Sequence, residues 1–308
     1  VLKRLGYILV TLWVIVTCTF FMMKNLPGAP FDAERFSIMT PQQQARVLEM
    51  YGLNDSLPMQ YVKYIKNMLK GDLGTSFTYV NQDVSKVITG RLGPSALIGI
   101  QAVLIGLAIG LILGILAAWK HNSGIDYFTM ILAVLGVSVP NFVAAALLQY
   151  YIGLKWGALP VGFWTGWNCS VLPSIALSFS ATAMVARFMR TEMLDVLDQD
   201  YIVTARAKGL SQMKVLMRHA VRNSLLPVVT ILGPIVVNLM TGSLAVENIF
   251  SIPGIGSLFV DCIKANDYPV IMGITIFYAA FYMLIVLLVD LAYSLIDPRI
   301  RLAKGKES

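Results

Sequence analysis

A chain of 308 residues in which 57% are hydrophobic and only 13% charged is no ordinary soluble domain, since soluble domains are about a quarter charged. The formal net charge of +7 would suit nucleic acid, but basic cytoplasmic loops on a membrane protein give the same total, and the apolar runs are too long for a soluble fold. An integral membrane protein is therefore expected.

The first element is an apolar run over residues 5–23, preceded by Lys3 and Arg4. It is longer than the core of a signal peptide, and "KNLPGAP" follows in place of a small-x-small cleavage site, so it is read as a retained span. Residues 24–94 come next as a polar insertion. Within it "TPQQQARVLEMYGL" predicts one short helix. "PMQYVKYIKNMLKGDLG" predicts a second, with Tyr61, Ile65, Met68 and Leu69 on one face and Gly71 ending it. The pair forms a small cap with its own minor core, either a structured loop on the spans or a docking surface for an external partner.

Five further runs, near 95–119, 126–153, 171–189, 225–246 and 270–295, have the roughly 20 apolar residues that crossing a bilayer requires. The second span carries Gly99, Gly106, Gly110 and Gly114. The last three, spaced by four, leave one face smooth for a neighbouring helix, either of this chain or of a second subunit. Pro140 interrupts the third span and predicts a kink there. Polar residues at membrane depth (Ser138, Asn141, Gln149, Ser178, Ser180, Thr182, Asn238 and Thr241) either line a pathway or bond between helices. Asp290 either reaches the inner interface or pairs with a base, and no second intramembrane acid supports a proton relay.

Orientation follows from the bases. With the N-terminus inside, fourteen Lys and Arg fall on inner segments and only Lys155 and Lys264 on the short outer loops, the other eight lying in 24–94. Both termini are expected in the cytoplasm, with residues 297–308 as an inner tail. The three cysteines match no metal motif; free thiols are expected, a bridge between Cys169 and Cys262 being the alternative. There is no phosphate-binding loop, no H-E-x-x-H and no G-x-S-x-G, and the two histidines, His121 and His219, lie in separate inner loops. Neither catalysis nor a metal site is expected.

The one long inner loop, residues 190–224, starts acidic and ends basic. Asp200 suits the start of a short helix through Ile202, Ala205 and Ala207, Gly209 supplies a left-handed stop, and Ser211 suits the cap of a following helix carrying Val215 and Leu216. A DNA-reading helix-turn-helix is excluded by the tethering of both helices to spans. A lipid-lying amphipathic segment explains the bases but not the small Ala205 and Ala207 beside Gly209, which suit close docking into another protein.

"DYIVTARAKGL" with "RHAVRNSLLP" resembles the inner-loop signature of ATP-binding-cassette importer permeases, in its peptide-uptake variant. Val203, Thr204 and Ala205 stand at the Glu-Ala-Ala positions and Gly209 at the glycine, while Leu226 and Pro227 come five residues later than the general spacing. The family's glutamate is absent, so no salt bridge from it is carried over. "GDLGTSF", "ENIFSIPGIGSLFVDCIKANDYPVI" and "DPRIR" resemble the oligopeptide or dipeptide permease subunit with a large first outer loop.

The resemblance implies an all-α membrane subunit with six transmembrane helices, an extracytoplasmic insertion after the first and a cytoplasmic coupling helix between the fourth and fifth. The coupling contact falls on Asp200, Tyr201, Thr204, Ala205, Ala207, Lys208, Gly209 and Leu210. The implied partners are a second homologous permease subunit, two ATPase subunits that hold ATP and Mg, an extracytoplasmic substrate-binding protein and a peptide substrate. The implied location is a bacterial or archaeal cell membrane. The rivals are a metal or metal-chelate importer with the same motifs, and a membrane scaffold that engages an ATPase without transporting.

Overall fold

The computed structural model describes residues 2–25, 38–50, 52–79, 81–241 and 243–296, with side chains excepted at 2–5, 50, 290 and 292–296. The "DPRIR" tail and the Asp290 side chain lie outside the described residues. All named elements are helical: α1 (Leu2–Lys24), α2 (Pro41–Met50), α3 (Leu57–Leu69), α4 (Val84–Trp119), α5 (Gly124–Ser138), α6 (Asn141–Leu148), α7 (Val171–Leu197), α8 (Asp200–Ala207), α9 (Gln212–Lys214), α10 (Arg222–Met240), α11 (Leu244–Ile249), α12 (Ile255–Lys264) and α13 (Tyr268–Ile296). Among the described residues five helical stretches are long and apolar enough to cross a membrane, and a sixth is counted if a bent pair is one span.

That pair is the predicted third span, and here the structure corrects the sequence reading. In place of one kinked helix over 126–153, α5 and the segment Asn141–Lys155 meet at 99°. Val139 is extended (φ −80°, ψ 117°), as a residue before proline prefers, and Pro140 opens the next helix. Each arm is roughly 22 Å long at 1.5 Å per residue, too short to cross about 30 Å of hydrocarbon alone. The predicted fifth span shifts as well. Its helix starts earlier, continuing from α9 through a π-helical stretch, Val215–Val221, and it ends at Met240, while residues 244–249 form a separate turn.

The chain divides into two compact units, Val1–Gly93 with Pro253–Phe281 and Pro94–Ile252 with Tyr282–Ser308. In the first, α3 packs on α1: Phe20 and Tyr61 rings meet edge-on at 5.4 Å, and the Thr17 hydroxyl lies 2.7 Å from the Tyr61 hydroxyl. The inward residues of α3 are Tyr61, Tyr64, Ile65 and Met68; Leu69, expected among them, is 79% exposed. The helix closes as the sequence predicts, with Gly71 at φ +82° and its N–H donating to Met68 O. Among the described residues the insertion shows no buried cluster separate from the rest of this unit. Val84, Val87 and Ile88 at the start of α4 cluster with Ile255, Leu258, Cys262, Tyr268 and Ile274, which come from far along the chain. Asp267 fastens this join, accepting from the Ser76 hydroxyl at 2.5 Å and from the N–H groups of Phe77 and Thr78 at 3.1 and 3.0 Å. All three cysteines are free thiols, and burial pushes the Cys262 thiol up to about 12.

In the second unit α7 is the buried axis. Its small residues Ala176, Ala181, Ala183 and Ala186 are all less than 5% exposed, which lets neighbouring backbones approach closely. The glycine stripe of α4 lies against it. A methyl placed on Gly106 would stand 2.7 Å from Ala181 Cβ; on Gly110, 2.8 Å from Thr182 O; on Gly114, 2.6 Å from Ala186 O. The stripe therefore serves packing within the chain. From another side, a methyl on Gly136 of α5 would stand 3.0 Å from Ala183 Cβ. We expect Gly110→Ala to cost about 1–3 kcal/mol, because the obstacle is backbone and a core Cβ. Gly90→Ala, where no atom lies within 4 Å, should instead stabilise by up to about 1 kcal/mol through helix propensity. Unfolding of the two variants in detergent compares them directly.

Candidate coupling site

The polar loop folds as the sequence spacing requires. Gln199 is extended and caps α8, leaving Asp200 at the first helical position, where its carboxylate faces the positive end of the dipole. At the other end Lys208 is the C-cap and Gly209 takes φ +75°. The Gly209 N–H donates to Arg206 O at 2.9 Å and the Leu210 N–H to Ala205 O at 3.4 Å. These are the two bonds of a Schellman closure, whose left-handed residue glycine adopts without strain.

The helix sits on a small core of its own. Ile202, Ala205 and Val215 are buried together, with Val196, Leu197 and Leu210 packed around them. Ile202 and Ala205 are three apart and so share the inward face. Ala205 is 6% exposed, which corrects the reading that it offers a small outward face; its methyl instead lets α8 lie close to its own support. Tyr201, Val203, Thr204, Ala207 and Lys208 are exposed. Asn223 Nδ2 donates to the Tyr201 hydroxyl at 3.0 Å, tying α8 to the first turn of α10. The Ser224 hydroxyl donates to Glu192 O at 3.2 Å, tying α10 to α7. Ser211 has cap backbone geometry, but its side chain makes no capping bond.

Sequence reasoning missed one pair near this loop. Asp126, on α5, is 2% exposed. Arg190 of α7 donates to it through Nε at 2.6 Å and Nη2 at 2.8 Å, the Asn122 N–H donates at 3.0 Å, and His121 Nδ1 lies 3.2 Å away. The available signal was an acid in the first turn of one apolar helix and an arginine at the end of another.

Of the polar residues at membrane depth, Asn238 and Thr241 are joined by a local bond, the Thr241 hydroxyl donating to Asn238 O at 3.4 Å, and no other hydrogen bond links two of them among the described residues. Gln149 Nε2 donates to Val161 O at 2.6 Å and Ile249 O at 2.8 Å, and buried Ser178 donates to Ile175 O at 2.8 Å. Both donors are satisfied within the chain. Thr241 donates to Val237 O within its own helix end. Thr182 is half-buried beside Gly110. Ser138 is exposed and Asn141 half-buried, flanking the break at Pro140, and Asn238 is exposed on α10.

Apolar helices long enough to span a membrane, interrupted by one compact polar helix on its own support, define a helical membrane protein. The fold agrees. A chain of the inward-facing MetNI methionine ABC transporter superposes with a TM-score of 0.60 at 14% identity, covering 69% of this chain and 97% of that one. A chain of an amino acid ABC transporter superposes with a TM-score of 0.52 at 18% identity, covering 70% and 94%.

The chain belongs to the family of binding-protein-dependent transport system inner membrane components, whose profile matches residues 110–302, with the family's N-terminal profile matching residues 1–82. It is 45% identical to the dipeptide transport system permease protein DppB of Lactococcus lactis subsp. cremoris, over 98% of this chain and 99% of that one. It is 43% identical to DppB of Bacillus subtilis and 39% identical to the oligopeptide transport system permease protein OppB of Salmonella typhimurium, each over 98% of both chains.

Proposed function

We propose that this chain is the permease subunit of an ATP-driven peptide importer. It forms half of the translocation pathway and receives the force of ATP hydrolysis through α8. The end-to-end likeness to dipeptide and oligopeptide permeases supports the substrate class. The observation that carries the mechanism is the construction of α8: a short helix closed at Gly209, seated on Ile202, Ala205 and Val215, with Tyr201, Val203, Thr204, Ala207 and Lys208 turned to solvent. A helix that must pass motion to the membrane helices has to be stiff against its own subunit and free toward the partner.

In this reading two ATPase subunits bind ATP and Mg and dock beneath two homologous permease chains, and an external binding protein delivers the peptide. In the same reading both termini lie in the cytoplasm of a bacterial or archaeal cell, a reading supported by the bases on the inner segments. Pathway lining then rests with Ser138, Asn141, Thr182, Asn238 and Thr241, and residues 24–94 lie on the outer side.

Vesicles holding the complete complex test the proposal. Uptake of a defined dipeptide is expected to need both ATP and the binding protein. In the same complex, cysteine at Ala207 or Val203 should cross-link to an ATPase subunit and cysteine at Ala205 should not, because that position faces inward. Failure of uptake removes the importer reading; cross-linking at Ala205 but not at Ala207 removes the assigned face.

A further inference from the structure

In the first unit the apolar arc of α3 is wider than α1 covers. Tyr61 and Tyr64 turn toward α1, where their rings meet Phe20. Val62, Ile65 and Leu69, spaced three and four apart, form a second apolar line beside them. Val62 and Leu69 are exposed, as is Trp13 of α1. These four side chains, with Tyr61, bound an open groove of about 470 Å³. Lys66 and Lys70, one helical turn apart and both exposed, line the same groove.

Two observations say what fills it. The first is continuity with a membrane surface. One wall belongs to α1, which is long and apolar enough over Gly6–Lys24 to cross a bilayer. Leu9 and Val10, one turn from Trp13, are exposed as well, so the groove opens onto the face that a span gives to hydrocarbon. The second is charge. No carboxylate lines the groove, and neither lysine forms an ion pair among the described residues. A lysine stem lies along apolar surface while its ammonium reaches the polar layer, where it meets phosphate. A soluble anion would leave the apolar line uncovered, and a neutral lipid would leave the two ammonium groups without a counter-charge.

We propose that this groove binds an anionic phospholipid, with one acyl chain against Trp13, Val62, Ile65 and Leu69 and the phosphate on Lys66 and Lys70. The inference needs α1 to lie in a bilayer and does not depend on the import reading above.

The test titrates the purified, delipidated complete complex in detergent with phosphatidylglycerol and with phosphatidylcholine of the same acyl chains. Bound lipid is counted by native mass spectrometry. The wild-type complex should hold one phosphatidylglycerol at least about tenfold more tightly than phosphatidylcholine, whose phosphate is neutralised by its own choline. Lys66→Gln combined with Lys70→Gln should abolish that preference. Leu69→Ser should weaken both lipids about threefold or more through lost apolar contact. All three side chains are exposed, so the lipid-free melting temperature should not move in either variant.

Two further measurements separate the other occupants. Inorganic phosphate, at ionic strength matched with chloride, should not displace phosphatidylglycerol. Cysteine at Leu69, in vesicles, should form no cross-link to the external binding protein or to the second permease chain. Equal binding of the two lipids, an unchanged preference in the double lysine variant, displacement by phosphate, or a cross-link at Leu69 overturns the proposal. Peptide uptake, measured separately, tests the import reading alone, so either reading can fail while the other stands.

Discussion

Gly209→Glu is expected to insert normally into the membrane, to lose its ATPase subunits on purification and to abolish peptide uptake. The cause lies in the backbone. Gly209 holds φ +75°, a region that costs a residue with a Cβ about 1–2 kcal/mol. No atom lies within 4 Å of where a Cβ would stand, so collision does not add to that cost. Strain of this size does not unfold the subunit. It does loosen the closure that the Gly209 and Leu210 N–H groups make onto Arg206 O and Ala205 O, and it sets a new carboxylate beside the exposed Lys208 at the proposed contact. Gly209→Asn separates the two effects, because asparagine tolerates the left-handed region and adds no charge. It should keep most of the uptake. Co-purification and uptake at wild-type levels in Gly209→Glu would remove α8 as the coupling element.

This element was legible in the sequence for local reasons. A glycine after a short run of helix formers marks a left-handed stop whatever the surroundings, and Gly71 after α3 and Gly209 after α8 both behave so. The stripe Gly106, Gly110 and Gly114 was legible in its periodicity, but periodicity alone could not say which helix fills it; the small residues of α7 do. Non-local features were less legible. Pro140 announces an interruption, yet the angle of 99° depends on how the two arms pack. Polarity at membrane depth could not show that Gln149 is spent on the carbonyls of Val161 and Ile249. Hydrophobicity also could not show that Ala205 points inward, because alanine suits either side of a docked helix. The shared core of Val84, Ile255 and Ile274 joins residues nearly two hundred positions apart, beyond the reach of any local pattern.

The second large effect is expected at Asp126 and Arg190. The pair is bidentate, with contacts of 2.6 and 2.8 Å, and the side chains are 2% and 20% exposed. Removing one partner strands the other's charge away from water, which costs about 3–5 kcal/mol. Asp126→Ala and Arg190→Met should therefore each destabilise the subunit by that amount in denaturant unfolding. The double replacement Asp126→Leu with Arg190→Met should cost less than either single change, because it leaves no unpaired charge. Singles below about 1 kcal/mol, or a double equal to their sum, would show that the pair is solvated and uncoupled. Under the proposed coupling role of α8 the pair would also bear on transport. It fastens α5 to α7 at Arg190, in the same terminal stretch of α7 where Glu192 O receives the Ser224 hydroxyl from α10, and the chain leaves that stretch directly into α8. A coupling helix transmits force only if its base does not yield. The double variant should accordingly keep its ATPase subunits, since the exposed face of α8 is untouched, while its uptake per ATP hydrolysed falls.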